Sequence, residues 1–143
     1  MKIKIEAKKE NLSKVISFCE DFLVSEFNPD YRNNLLLVAV EEIFTNISSY
    51  AFGNKTGYAE IELLRTDENK IRASFKDNGC PFNPIEFKSD KRAKDNIDNL
   101  VPGGLGLYIV KNSMTNLKYE YNGDCNIFSF ETAKEGKNED NTL

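Results

Sequence analysis

The 143-residue chain has no histidine, and that absence excludes a histidine-dependent catalytic triad, a histidine-ligated metal and self-phosphorylation on histidine. Cysteine is sparse as well. Cys19, Cys80 and Cys125 lie far apart, are odd in number and form no C-x-x-C pair, so they indicate neither a disulfide framework nor a zinc site and read as reduced thiols. No apolar run approaches the ~18 residues of a membrane span, and the charged start MKIKIEAKKEN lacks the apolar core of a signal peptide. The cytoplasm is the expected compartment. Positive charge is also in deficit: 19 Lys and Arg against 23 Asp and Glu leave a net charge of −4. Nucleic acid, whose phosphates demand a basic face, is therefore not an expected partner.

What is present suits one soluble domain, with 40% hydrophobic and 29% charged residues. KIKIEA alternates like a first strand, and residues 10–27 carry Leu12, Val15, Ile16, Cys19, Phe22 and Leu23 at helical spacing. A second helix is expected from near Asp30, its cap, to about Ala51, with Leu36, Val40, Ile43, Ile47 and Tyr50 or Ala51 as the apolar stripe. YAEIELLRT and KIRASFKD alternate with period two, turn Ile61, Leu63, Ile71, Ala73 and Phe75 one way, and join through a DEN hairpin. Residues 83–102 are polar and basic and read as a loop. GLGLYIVKNSMTN resumes a helix with Leu107, Ile109 or Val110, and Met114 inward, and LKYEYNG and NIFSFET close the chain as strands. This order predicts an α+β two-layer sandwich over residues 1–132, a mainly antiparallel sheet with helices on one face. The polar tail 133–143 lacks apolar anchors and is expected to fray.

Three short motifs carry polar chemistry. In VEEIFTNISSYAF (40–52), helical geometry places Asn46 about 60° and Glu42 about 100° to the same side of Ile43, at the edge of the buried stripe, while Glu41 points to solvent. Such a pair offers a neutral carbonyl oxygen for Mg²⁺ and a carboxylate base, although E-x-x-x-N alone also describes a surface polar pair. In DNGCPFNP (77–84), Asp77 can accept a purine N–H, Gly79 lets backbone come close, and Phe82 offers the ring an apolar wall. The same residues would serve an ordinary turn. In PGGLGLYIV (102–110), Gly104, Leu105 and Gly106 stand where backbone wraps phosphate oxygens at a helix start, or simply mark a helix boundary. Neither a P-loop nor a G-x-G-x-x-G pattern is present.

In this order and spacing the boxes E-x-x-x-N, D-x-G-x-x-F and G-x-G-L resemble the GHKL ATP-binding superfamily, over about residues 10–132. DNGCPFNP and GGLGLYIVKN more specifically resemble its bacterial anti-sigma-factor serine/threonine kinases. The resemblance implies the Bergerat fold, ATP and Mg²⁺ as cofactors, a STAS-domain antagonist as the phosphorylated partner, a sigma factor as a second partner, and a homodimer. It makes Asn46 the Mg²⁺ ligand, Glu42 the base, Asp77 and Gly79 the adenine-binding pair, and Gly104 and Gly106 the phosphate-side glycines. Ser129 aligns loosely with a hydroxyl residue that assists adenine binding. Lys88, Lys91, Arg92 and Lys94 would belong to a lid over the γ-phosphate. Ser49 stands where histidine-kinase relatives often place a lysine. A nucleotide-gated module that sequesters a partner without phosphoryl transfer is the alternative, since nucleotide contacts are shared by both.

Overall fold

The computed structural model describes residues 1–27, 33–86 and 104–132. Period-two alternation makes the central hairpin: β2 (Tyr58–Asp67) and β3 (Lys70–Asp77) pair antiparallel, with Ile61 opposite Phe75 and Leu63 opposite Ala73. β1 (Lys2–Glu6) adds to the outer edge of β2, and β5 (Asn126–Thr132) pairs with β3. β4 (Met114–Tyr121) pairs with β5, giving a five-stranded antiparallel sheet of order β1-β2-β3-β5-β4. The expected sandwich is thus observed, and its sheet is antiparallel throughout the described residues.

One face of the sheet is apolar and the other charged. Ala59, Ile61, Leu63, Ile71, Ala73, Phe75, Phe128 and Phe130 are buried under α1 (Leu12–Glu26), α2 (Asn34–Tyr50) and α3 (Gly104–Ser113). Phe75, Phe128 and Phe130 form an aromatic cluster with centroids 6.1–6.3 Å apart, each ring contributing about 1.5–3 kcal/mol by leaving water. α1 supplies Val15, Cys19, Phe22 and Leu23, and α2 supplies Leu36, Val40, Ile43, Phe44 and Ile47. On the solvent face, Lys2 opposes Glu62, Lys4 and Lys76 both oppose Glu60, and Arg72 Nη2 bonds Glu131 Oε2 at 3.1 Å. Opposite charges in register keep that face in water.

Two expectations are corrected at element ends. α2 is capped not by Asp30, which lies outside the described residues, but by Asn33, whose Oδ1 accepts the Leu36 N–H at 3.0 Å. Met114 is buried as expected, but as the first residue of β4, because the helix stops at Ser113. β4 then bulges between Thr115 and Lys118, with Asn116 at φ 53°, the left-handed region that asparagine tolerates. The expected lid cations (Lys88, Lys91, Arg92, Lys94) and the tail 133–143 also fall outside the described residues.

Removing the α2 cap leaves an N–H of the first turn unpaired. Asn33→Ala is expected to lower stability by about 1 kcal/mol, read as a shift in urea midpoint with unchanged slope; an unmoved midpoint would show that the cap contributes nothing.

Candidate functional site

Helix α2 carries the site. Its apolar stripe faces the sheet, and the stripe's edge brings Glu42 and Asn46 inward, at 7% and 5% exposure, while Glu41 stays exposed. Separated by one turn, the two meet: Asn46 Nδ2 donates to Glu42 Oε2 at 3.0 Å and makes a longer contact of 3.5 Å to the Pro84 carbonyl oxygen. Burial pushes the Glu42 carboxyl up to about 7, the hydrogen bond from Asn46 opposing that rise and the Glu41 charge adding to it.

The 77–84 turn grips the C-terminal end of the same helix. Cys80 donates from N and Sγ to Ala51 O at 2.9 and 3.0 Å. A Cβ on Gly79 would collide with the Ala51 carbonyl, so this close approach admits only glycine. Asp77, 3% exposed at the end of β3, accepts the Gly79 N–H and Asn126 Nδ2, both on Oδ1 at 2.9 Å. Burial raises its pKa, and those two bonds pull it back. Phe82 sits half-buried with its ring centroid 5.9 Å from that of Tyr50, a partly open aromatic wall beside the turn.

α3 meets α2 at the other end of the strip. A Cβ on Gly106 would collide with Glu42 Oε1 and the carbons of that side chain. Gly104 and Leu105 open the helix and Gly106 lies within its first turn, so the glycines are inside the helix rather than ahead of it. At about 1.5 Å per residue the strip from Glu42 to Ala51 spans roughly 13 Å. It touches α3 at Glu42, Pro84 at Asn46 and the Asp77 turn at Ala51. All three motifs converge on one helix. An open groove between β1 and α1, lined by Ile3, Ser13, Lys14, Ser17, Phe18 and Asp21, holds none of these residues.

Residues 5–131 match the histidine kinase-like ATPase domain family. The chain belongs to that family. The ATPase domain is 29% identical over 85 residues to the serine/threonine-protein kinase BtrW of Bordetella bronchiseptica, a match covering 59% of this chain and 59% of BtrW's own length. A solved structure of the catalytic domain of histidine kinase ThkA, in a nucleotide-free form, matches 91% of the ATPase domain and 96% of its own chain at 16% identity and a TM-score of 0.36.

Within this ATPase domain, sequence reasoning located Glu42, Asn46, Asp77, Gly79, Phe82 and Gly106 where the three segments meet. Ser129 is not brought there. Alternation along β5 turns Asn126, Phe128 and Phe130 toward the helices and Ser129 to the opposite face, across from Ser74. The side chain touching Asp77 is Asn126, which sequence reasoning missed; of the two candidates for the end of the α2 stripe, Ala51 is buried and Tyr50 is exposed beside Phe82. The signal for Asn126 was available: Phe128 and Phe130 define the core face, and Asn126 shares their parity. Ser49 is half-buried one turn beyond Asn46.

The donor set fits a magnesium nucleotide. No described hydrogen bond uses Asn46 Oδ1 or Asp77 Oδ2. Neither oxygen is among the atoms sealed from solvent without a partner in the described residues, where Ser48 Oγ is the one such atom. No group of three or more His, Cys, Asp or Glu side chains that could hold a metal ion occurs among the described residues; Asn46 Oδ1 is the oxygen that would reach a Mg²⁺ carried in by phosphates.

The raised pKa of Glu42 fixes a sign. The folded protein holds the Glu42 proton up to about 7, whereas a free glutamate releases it near 4.5, so this group's stability contribution is complete below pH 4.5 and is lost as pH rises through 7. Glu42→Gln removes that titration. The variant is expected to gain stability over wild type between pH 5 and pH 8 in urea unfolding, and a difference that stays constant across that range would contradict a raised Glu42 pKa.

Proposed function

We propose that this chain is an ATP- and Mg²⁺-dependent serine/threonine protein kinase and anti-sigma regulatory factor, which phosphorylates a small STAS-domain antagonist. One observation carries this reading: a buried carboxylate poised near neutral pH lies against the first turn of α3 and is hydrogen-bonded to an asparagine with an open carbonyl oxygen. A base needs a pKa near the working pH. The partial similarity to BtrW, itself a serine/threonine-protein kinase, supports the direction of the chemistry.

Each residue has a stated task. Asp77 Oδ2 accepts the adenine amino group, and Phe82 with Tyr50 supplies an apolar edge to the base. Asn46 Oδ1 would hold Mg²⁺, which when bound neutralises phosphate charge. The N–H groups opening α3 at Gly104, Leu105 and Gly106 face the phosphates, where a helix start favours anions. Glu42 takes the proton from the partner's serine or threonine hydroxyl as that oxygen bonds to the γ-phosphorus, and the bond to the β-phosphate oxygen breaks to release ADP. Alignment does most of the work, and no covalent enzyme intermediate is required.

Charge bears on release of the partner. Phosphorylation adds roughly −1.5 to −2 charges to the antagonist, and a chain of net charge −4 then repels it. We further propose a homodimer with a sigma factor as its second partner. A cytoplasmic setting agrees with the described helices, none of which is long and apolar enough to cross a membrane.

Radiolabelled ATP tests the reading. Label is expected on a serine or threonine of a STAS-domain protein from the same cell. Glu42→Gln should keep ATP affinity while labelling slows by roughly 10²–10⁴-fold. A stable, nucleotide-dependent complex with no label on the partner would contradict transfer and establish sequestration instead.

A further inference from the structure

Asn126 opens β5 opposite Asp77, on the helix-facing side of the sheet and 1% exposed. Its Nδ2 donates to Asp77 Oδ1 at 2.9 Å and to the Cys80 carbonyl at 2.8 Å. Its Oδ1 accepts the Phe82 N–H at 2.9 Å and the Tyr119 hydroxyl. Two of these partners are backbone groups that cannot change roles, because the Phe82 amide only donates and the Cys80 carbonyl only accepts. The orientation of the Asn126 amide is therefore fixed, and what it presents to Asp77 is a donor.

That donor changes what Asp77 can accept. An ionised carboxylate has about four lone-pair positions, two on each oxygen. Gly79 N–H and Asn126 Nδ2 fill both positions on Oδ1. Only Oδ2 is left for a ligand.

We propose that Asn126 is the base-specificity residue of this site: by saturating Asp77 Oδ1 it converts a two-oxygen acceptor into a one-oxygen acceptor, which suits a 6-aminopurine and rejects guanine. The inference rests on the nucleotide-binding reading above, which already places adenine on Asp77, and assigns the residue that enforces that choice of base. Adenine presents one amino donor beside a ring-nitrogen acceptor, and a single oxygen satisfies that donor. Guanine presents two adjacent donors, N1–H and the 2-amino group, which a carboxylate accepts with both oxygens in parallel. Here the 2-amino group meets an oxygen already filled and goes unpaired, a loss of roughly ten- to a hundredfold in affinity. Tyr119 takes no part in the choice of base, since its hydroxyl reaches Asn126 and not Asp77 Oδ1, and the backbone of Phe82 and Cys80 already fixes the amide.

Competition titrations of the full chain with ATP, GTP and ITP test this. Inosine lacks the 2-amino group, so a one-oxygen acceptor binds ITP at least as well as GTP, and wild type should show ATP tightest with ITP equal to or ahead of GTP. Asn126→Ala frees one of the two positions on Oδ1, the Gly79 N–H keeping the other, and should narrow the ATP:GTP ratio by about tenfold and put GTP ahead of ITP; Tyr119→Phe should leave the ratio unchanged. The proposal is overturned if Asn126→Ala weakens all nucleotides by one common factor, which is the signature of a residue that only braces the turn. It is equally overturned if wild type prefers GTP to ITP by tenfold, a comparison that needs no variant to fold. Wild type that binds none of the three would end the nucleotide reading itself and this inference with it.

Discussion

The close approach of three chain segments to one edge of α2 is the constraint on which the rest of the molecule depends. Gly106 sits against Glu42, and Gly79 sits against the Ala51 carbonyl, each without room for a Cβ. Between them Asn46 reaches Pro84 across 38 residues of sequence. The sheet's role is to make this possible: β3 ends at Asp77 and β5 begins at Asn126, so the central strands deliver both partners of one buried hydrogen bond to the same end of the helix.

A polar strip in an otherwise apolar core is costly unless its groups are paired. Here Asp77, Asn126, Glu42 and Asn46 are each hydrogen-bonded, while Asn46 Oδ1 and Asp77 Oδ2 take part in no described hydrogen bond. Both carboxyls are raised by burial, the expected consequence of placing charge in low dielectric with no cationic partner among the described residues. An electrostatically unfinished site of this kind suits a ligand that brings its own cation and its own donors. The solvent face of the sheet shows the opposite design, with exposed lysines in register with half-buried glutamates.

Much of this was legible because periodicity is local. The alternation of β2 and β3, the stripe of α1 and the inward edge position of Glu42 and Asn46 follow from spacing alone. Contacts spanning many residues were not. Asn126 lies 49 residues from Asp77, and nothing local ties them; its parity with Phe128 and Phe130 was nevertheless readable, and the same parity places Ser129 on the far face. The motif marks Gly106 as a phosphate-side glycine, and its lack of a side chain also lets α3 close on Glu42, a contact no local pattern shows. The cap at Asn33 rather than Asp30 reflects how little separates asparagine from aspartate as caps when several stand in one short stretch.

The most direct test is a crystal structure with a non-hydrolysable ATP analogue and Mn²⁺, the metal located by its anomalous signal. The account predicts manganese bonded to Asn46 Oδ1, at about the 2.1 Å usual for small hard cations, with the adenine amino group on Asp77 Oδ2 in the same molecule of nucleotide. A nucleotide seated away from α2, or a metal with no bond to Asn46, would contradict it.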